Sequence, residues 1–134
     1  MVSEELEILE SYLELMRLRF GDSLVIDINL HEKHLYYYIA PLTFQMLIEN
    51  AVKHNIVEHD RPLRVEIFSE TDHIVIRNNL QKKMLSQSSS QIGLNNISSR
   101  YLFLTDSDII VEEDGQYFTV KIPLLKKPYE SSNS

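Results

Sequence analysis

The chain has no cysteine and no tryptophan, and only three glycines and four prolines among its 134 residues. Without cysteine there is no disulfide framework, thiol nucleophile or thiolate metal site, a composition that suits the cytosol. No apolar run reaches the roughly 18 residues that span a bilayer, and the acidic N-terminus lacks the basic segment that opens a secretory signal. A soluble piece is expected, with no direct membrane contact of its own. Positive charge is also short. Thirteen Lys and Arg against twenty Asp and Glu give a formal net charge of −7, which opposes binding to nucleic acid or to an anionic membrane surface. A single nucleotide needs only a local positive site, for which Lys53, His54, Lys82 and Lys83 are candidates. What is present is ordinary for a globular protein: 43% hydrophobic and 25% charged residues, at a length that fits one domain with one core.

Leu6, Leu9, Leu13, Met16 and Phe20 alternate at spacings of three and four, which predicts a helix over residues 3–20, and Ile8, Tyr12 and Leu15 add a second apolar edge. Ser3 can cap this helix and Gly21 can end it. Glu4, Glu5 and Glu7 at the start and Arg17 and Arg19 near the end agree with the helix dipole. So much apolar surface needs a partner. The expectation is that the C-terminal turns pack on the domain while the N-terminal turns are exposed or pair with another chain. Leu24, Ile26, Ile28 and Leu30 alternate with Val25, Asp27 and Asn29, the period of a half-buried strand, and residues 34–39 read as a further short strand. Residues 64–69 and 73–77 read as a hairpin around Glu70, Thr71 and Asp72. Residues 81–91, QKKMLSQSSSQ, have no period and read as a mobile loop, followed by a helix over 94–104. Strands over 108–113 and 116–124 flank an Asp114-Gly115 turn, and a polar tail ends the chain. Strands beside helices without strict alternation predict an α+β fold, a two-layer sandwich with helices on one face of a mixed, mostly antiparallel sheet.

Residues 41–55, PLTFQMLIENAVKHN, are the most informative stretch. Phe44, Leu47, Ile48 and Ala51 make a core-facing stripe, and Glu49, Asn50, Lys53 and His54 fall on the opposite arc. An amide oxygen with two cationic or donor groups over one turn suits a metal-bound polyphosphate: the amide can complete a Mg²⁺ shell of water and phosphate oxygens, and the cations can neutralise phosphates. Glu49 and Lys53 are also an i,i+4 pair of the ordinary surface kind, which residue types alone favour.

IENAVKH, preceded by PLTFQML, resembles the N-box of the GHKL (Bergerat) ATP-binding domain as carried by sensor histidine kinases of LytS/YehU type. SEELEILESYLELMRLRFGDSL resembles the segment leading into that domain, QIGLNNISSRY its second glycine box, and FTVKIPL its closing strand. The motifs cover roughly residues 3–125 in the family's order, which is more specific than any one of them. The resemblance implies a linker or end of a dimerisation helix over 1–22, an ATP-binding catalytic domain over 23–125 and a tail over 126–134. It implies ATP and Mg²⁺ as cofactors, with the metal on Asn50 and the phosphates near Lys53 and His54. Asn50, Lys53 and His54 would be the catalytic group. Glu49, Asn78, Ile92, Gly93, Leu94 and Asn96 would join them in holding nucleotide. The implied partners are the protein's own dimerisation and phosphoacceptor domain, a LytTR-type response regulator and, in the full-length protein, a second copy. The implied location is the cytoplasmic part of a cell-membrane protein.

The chain departs from the family pattern in places. Where the family has Asp-x-Gly in its first glycine box, this chain has Asn78 for the aspartate and Leu80 for the glycine. An asparagine carbonyl can still accept a hydrogen bond from an adenine amino group, at a loss of about 1–2 kcal/mol; Leu80 fits badly if the glycine's φ must be positive. Of the second box only Gly93 and Leu94 remain in place, and one glycine before a helix can still let phosphates approach its N-terminus. Met46 stands where ATPases resembling gyrase and MutL carry a glutamate base, which disfavours hydrolysis as the main activity. None of His31, His34, His54, His59 and His73 has the context of the family's phosphoacceptor, and His31, His34, His59 and His73 are expected on loop or strand surfaces. The expectation is the ATP-binding part of a kinase that transfers the γ-phosphoryl to a histidine outside this chain. The alternative is a degenerate GHKL fold, binding ATP weakly or not at all, that serves as a dimerisation or regulator-docking module.

Overall fold

A computed structural model describes residues 1–83, 98 and 108–126. Two helices, α1 (Val2–Phe20) and α2 (Thr43–His54), cover one face of a five-stranded sheet built from β1 (Leu24–Asn29), β2 (Leu63–Ser69), β3 (His73–Asn79), β4 (Ile110–Glu113) and β5 (Tyr117–Pro123). The strand order is β1-β2-β3-β5-β4. β1 lies parallel to β2, and the other three pairings are antiparallel. The α+β class, the mixed sheet and the single helical face are those expected from the sequence.

Period-two alternation explains which side is dry. Ile67 of β2 lies opposite Ile76 of β3, which lies opposite Val120 of β5, and Ile74 lies opposite Ile122. All five side chains are buried with Leu63 and Val65. On the other face Arg77 pairs with Glu66 at 3.0 Å and lies over the rings of Phe68 and Tyr117, while Lys121 reaches Glu70 at 3.5 Å. That face is a partly solvated polar ladder, which leaves the helices to cover the apolar one.

The core-facing stripe of α2 is Phe44, Leu47, Ile48 and Ala51, all buried. Fully burying residues the size of Phe44 and Ile48 stabilises the fold by roughly 1.5–3 kcal/mol each. The helix starts abruptly at Leu42, whose φ of 64° is left-handed, a conformation that costs a non-glycine residue roughly 1–3 kcal/mol. Two bonds hold it: the Leu42 N–H donates to Glu5 Oε2 at 2.9 Å, and the Thr43 hydroxyl donates to the Ala40 carbonyl at 2.6 Å.

Three expectations are corrected. Residues 34–39 are not a strand: Glu32–Tyr36 is a short 3-10 helix, started where His31 Nδ1 accepts from the Lys33 N–H, and only Tyr38 makes an isolated bridge, to Leu125. His34 is buried rather than on the surface, its ring edge-on to Tyr37. The N-terminal turns of α1 are packed on the domain. Val2 is fully buried and donates its N–H to the Tyr37 carbonyl, and Leu9 and Leu13 join the same core as α2 and the sheet. The outward residues Ile8, Leu15 and Leu18 are exposed. The helix predicted over 94–104, apart from residue 98, and the loop over 84–91 lie outside the described residues.

The packing of α1 makes a direct prediction. Leu9→Ala should cost about 2–5 kcal/mol by cavity formation, whereas exposed Leu15→Ala should change stability by less than about 0.5 kcal/mol. Equal effects of the two in urea denaturation would show that α1 is not part of the core.

Candidate functional site

The inward face of β3 runs Ile74, Ile76, Asn78, so the apolar series ends in an amide. Asn78 is only 4% exposed, faces Val65 on one side and Phe118 on the other, and donates its Nδ2 to the Asn79 carbonyl at 2.9 Å. Its Oδ1 has no hydrogen-bond partner among the described residues. Beside it a cavity of about 570 Å³ opens between α2 and the sheet. Leu47, Ala51, Ile76, Phe118 and Val120 give it apolar walls; Asn50, His54, Asn78, Lys82, Lys83 and Glu113 supply polar atoms. An apolar hollow with a few converging polar groups is the usual form of a small-molecule site.

The segment after β3 closes one side of the cavity. Asn55, buried at the end of α2, accepts from the Gln81 N–H at 2.8 Å and donates to the Ala51 carbonyl at 2.9 Å. The Ile56 N–H donates to the Gln81 carbonyl and the Lys83 N–H to the His54 carbonyl. Leu80 and Lys82 are thereby placed on the cavity wall, where Lys82 forms an ion pair with Glu113 at 2.8 Å. Leu80 has no positive φ, so the backbone here does not demand a glycine.

The arc expected on α2 divides. Asn50 and His54, four residues apart, line the cavity; Glu49 and Lys53 line a second depression of about 700 Å³ between α2 and the C-terminal half of α1. Asn50 is half-buried and its amide has no hydrogen-bond partner among the described residues. His54 is buried rather than on an open polar face. Ile92, Gly93, Leu94 and Asn96 lie outside the described residues. Sequence reasoning passed over Asn55, whose signal was a polar residue directly after the N-box; it gave Leu80 only as a departure from the glycine box and Tyr12 only as part of an apolar edge, since the surroundings of Tyr12 come from a different helix.

The Tyr12 hydroxyl is shut off from solvent, makes no hydrogen bond of ordinary length and faces the Glu49 carboxylate. Burial first, and then the negative charge of Glu49, push its pKa from 10.0 up to about 12. Glu49 also accepts from Gln45 Nε2 at 3.4 Å.

No protein-family model matches the chain. Sensor protein LytS of Oceanobacillus iheyensis is 30% identical to it over 123 residues, covering 78% of this chain and 21% of that protein. Sensor protein kinase HptS of Staphylococcus aureus is 29% identical over 80 residues, covering 58% of this chain and 15% of that one. The chain thus spans about a fifth or less of the length of these curated relatives. In fold it is similar to the catalytic domain of histidine kinase ThkA in a nucleotide-free form, with a TM-score of 0.54 at 9% identity over 92% of this chain and 94% of that one. The chain is a GHKL domain of the sensor histidine kinase family. Within this GHKL domain the N-box helix is α2, and the first glycine box is the end of β3. Among the described residues no helix is long and apolar enough to cross a membrane, and no cluster of three or more His, Cys, Asp or Glu could hold a metal by itself.

The position of Tyr12 predicts an alkaline signature. Its folded pKa lies above the unfolded one, so the stability linked to its protonated form is complete below about pH 10 and is lost as pH rises toward about 12. Spectrophotometric titration of the seven tyrosines should show one late phenolate that Tyr12→Phe removes; an unchanged titration curve would refute the burial of this hydroxyl.

Proposed function

We propose that this chain is the catalytic ATP-binding domain of a two-component sensor histidine kinase. It would bind Mg²⁺-ATP and present the γ-phosphoryl to a histidine on a dimerisation domain outside this chain. The observation that carries the reading is the meeting of Asn50, His54 and Asn78 around one cavity between the N-box helix and the sheet. The apolar walls suit a purine, and the Asn78 Oδ1 is an acceptor for an exocyclic amino group. Asn50, at the lip with its amide available, fits a divalent cation: a neutral oxygen ligand suits Mg²⁺, which keeps most of its shell as water and phosphate oxygen. When bound, Mg²⁺ would neutralise charge on the phosphates; the chain's own part is to orient the nucleotide and supply cations at its phosphate end. Met46 in place of a base supports phosphoryl transfer over hydrolysis. Following the likeness to sensor proteins, the partners would be the dimerisation domain, a second copy and a LytTR-type response regulator, and the setting the cytoplasmic part of a membrane sensor.

One observation favours a second reading. Leu80 puts a branched side chain on the cavity wall where the family carries glycine, which suits a degenerate domain used for dimerisation or regulator docking. Titration calorimetry with a non-hydrolysable ATP analogue separates the two. The kinase reading expects Mg²⁺-dependent binding that Asn50→Ala abolishes, with Asn78→Asp binding about five- to thirty-fold more tightly through its charged acceptor. Absence of binding at millimolar nucleotide in both the parent and Asn78→Asp would leave the docking module as the function.

A further inference from the structure

The depression between the two helices is not explained by the N-box. It is framed by Tyr12, Met16, Arg19 and Phe20 of α1 and by Glu49 and Lys53 of α2, and Lys83 lines both it and the cavity described above. We propose that Arg19 is a further phosphate-binding residue: together with Lys53 it holds the terminal phosphoryl group of a nucleoside triphosphate whose base sits in the neighbouring cavity. This rests on the nucleotide reading and adds to it a group from α1.

Three observations carry the assignment. The first is charge. Arg19, Lys53 and Lys83 face Glu49 and Glu58 in this depression, and Glu49 is already engaged by Gln45 and directed at the Tyr12 hydroxyl. Among the described residues neither Arg19 nor Lys53 has a carboxylate within ion-pair distance, so these two are the cations that can meet a ligand.

The second is orientation. The Arg19 guanidinium carbon lies over the Phe20 ring, 4.8 Å from its centroid, a cation–π contact that narrows the freedom of the side chain. A planar fork of donors matches two phosphate oxygens, where a lysine acts as a point charge. The third is continuity. Lys53 follows Asn50 by three residues, a rise of about 4.5 Å along the helix. Lys83 lines both hollows, so a polyphosphate that Asn50 helps to hold would cross from the cavity into the depression that Lys53 and Arg19 border. In this reading the base lies on the sheet side of α2 and the terminal phosphoryl on its α1 side, where Arg19 stands.

The test is calorimetry of the full chain with Mg²⁺ and either ADP or a non-hydrolysable ATP analogue. The parent should prefer the triphosphate. Arg19→Gln should weaken triphosphate binding about ten-fold, the effect of losing one charge-assisted contact, and leave ADP unchanged; Arg19→Lys should recover part of the loss. Arg17→Gln, which removes a cation from α1 outside this depression, should change neither. An unaltered thermal midpoint for Arg19→Gln shows that the fold is intact, and Arg19→Lys carries the comparison if that midpoint falls. If Arg19→Gln leaves the triphosphate unaffected, or weakens ADP equally, the assignment of Arg19 is wrong and the nucleotide reading stands. If the parent binds neither nucleotide, both fall.

Discussion

Asn55 holds the end of the N-box helix and the end of a sheet strand in one arrangement, and the cavity depends on that junction. Its side chain is buried and both ends are used: the amide nitrogen closes the last turn of α2 on the Ala51 carbonyl, and the oxygen receives the Gln81 N–H. Gln81 then donates its own side-chain amide to the carbonyls of Ile56 and Arg61, so the chain leaving β3 is tied across the chain leaving α2. An apolar residue at 55 would leave the part-buried Gln81 N–H without its acceptor, a penalty of about 1–3 kcal/mol, while the Ala51 carbonyl would keep the bond from the backbone N–H of residue 55. The hollow between helix and sheet stays open because this polar junction, rather than apolar packing, spans its edge.

Much of the fold was legible because its elements are periodic. Alternation in 24–29, 63–69 and 73–79 reports a sheet with one dry face, and the 3.6-residue stripe of Phe44, Leu47, Ile48 and Ala51 reports which side of α2 touches it. The closing hairpin was expected around Asp114 and Gly115, and Gly115 does adopt a φ of 90°. The Asp114 carboxylate accepts from the N–H groups of Tyr117 and, second, Gln116, which holds its pKa below the usual carboxylate value. The two central residues of that loop are Gly115 and Gln116, because Asp114 itself pairs with Tyr117. Residues 34–39 misled because aromatic and β-branched residues favour strands only when a neighbour is there to pair with. Here the local bond from His31 and the packing of His34 won.

The candidate site was legible in part. Helical spacing put Glu49, Asn50, Lys53 and His54 on one arc; in the structure Asn50 and His54 line one hollow, Glu49 and Lys53 line another, and His54 is buried. A helix between a sheet and a second helix has two flanks, and the sequence of α2 says nothing about where α1 will lie. Once α1 packs through Leu9 and Leu13, Glu49 and Lys53 face it, and the polar arc splits along the ridge of the helix. The same packing buries the Tyr12 hydroxyl against Glu49, so α1 is coupled to the N-box helix through a polar contact as well as through the core.

Asn78 and Leu80 are the positions where the chain departs most from its family, and the structure separates their effects. At Leu80 the φ is not positive and the N–H donates to the Gln116 carbonyl at 2.9 Å; what the leucine changes is the shape of the cavity, through a side chain on its wall. At Asn78 the change is chemical. An amide on the inward face of a central strand, flanked by Val65 and Phe118, is a poor choice for packing, since burying a polar group that is only partly bonded costs roughly 1–3 kcal/mol. An apolar residue there would continue the series of Ile74 and Ile76 and tighten the core. Local rules are broken in this way where a side chain serves something other than the fold. An acceptor kept beside an apolar hollow that Asn50 also lines is an arrangement that packing does not ask for, and it is the feature on which the proposed nucleotide reading rests.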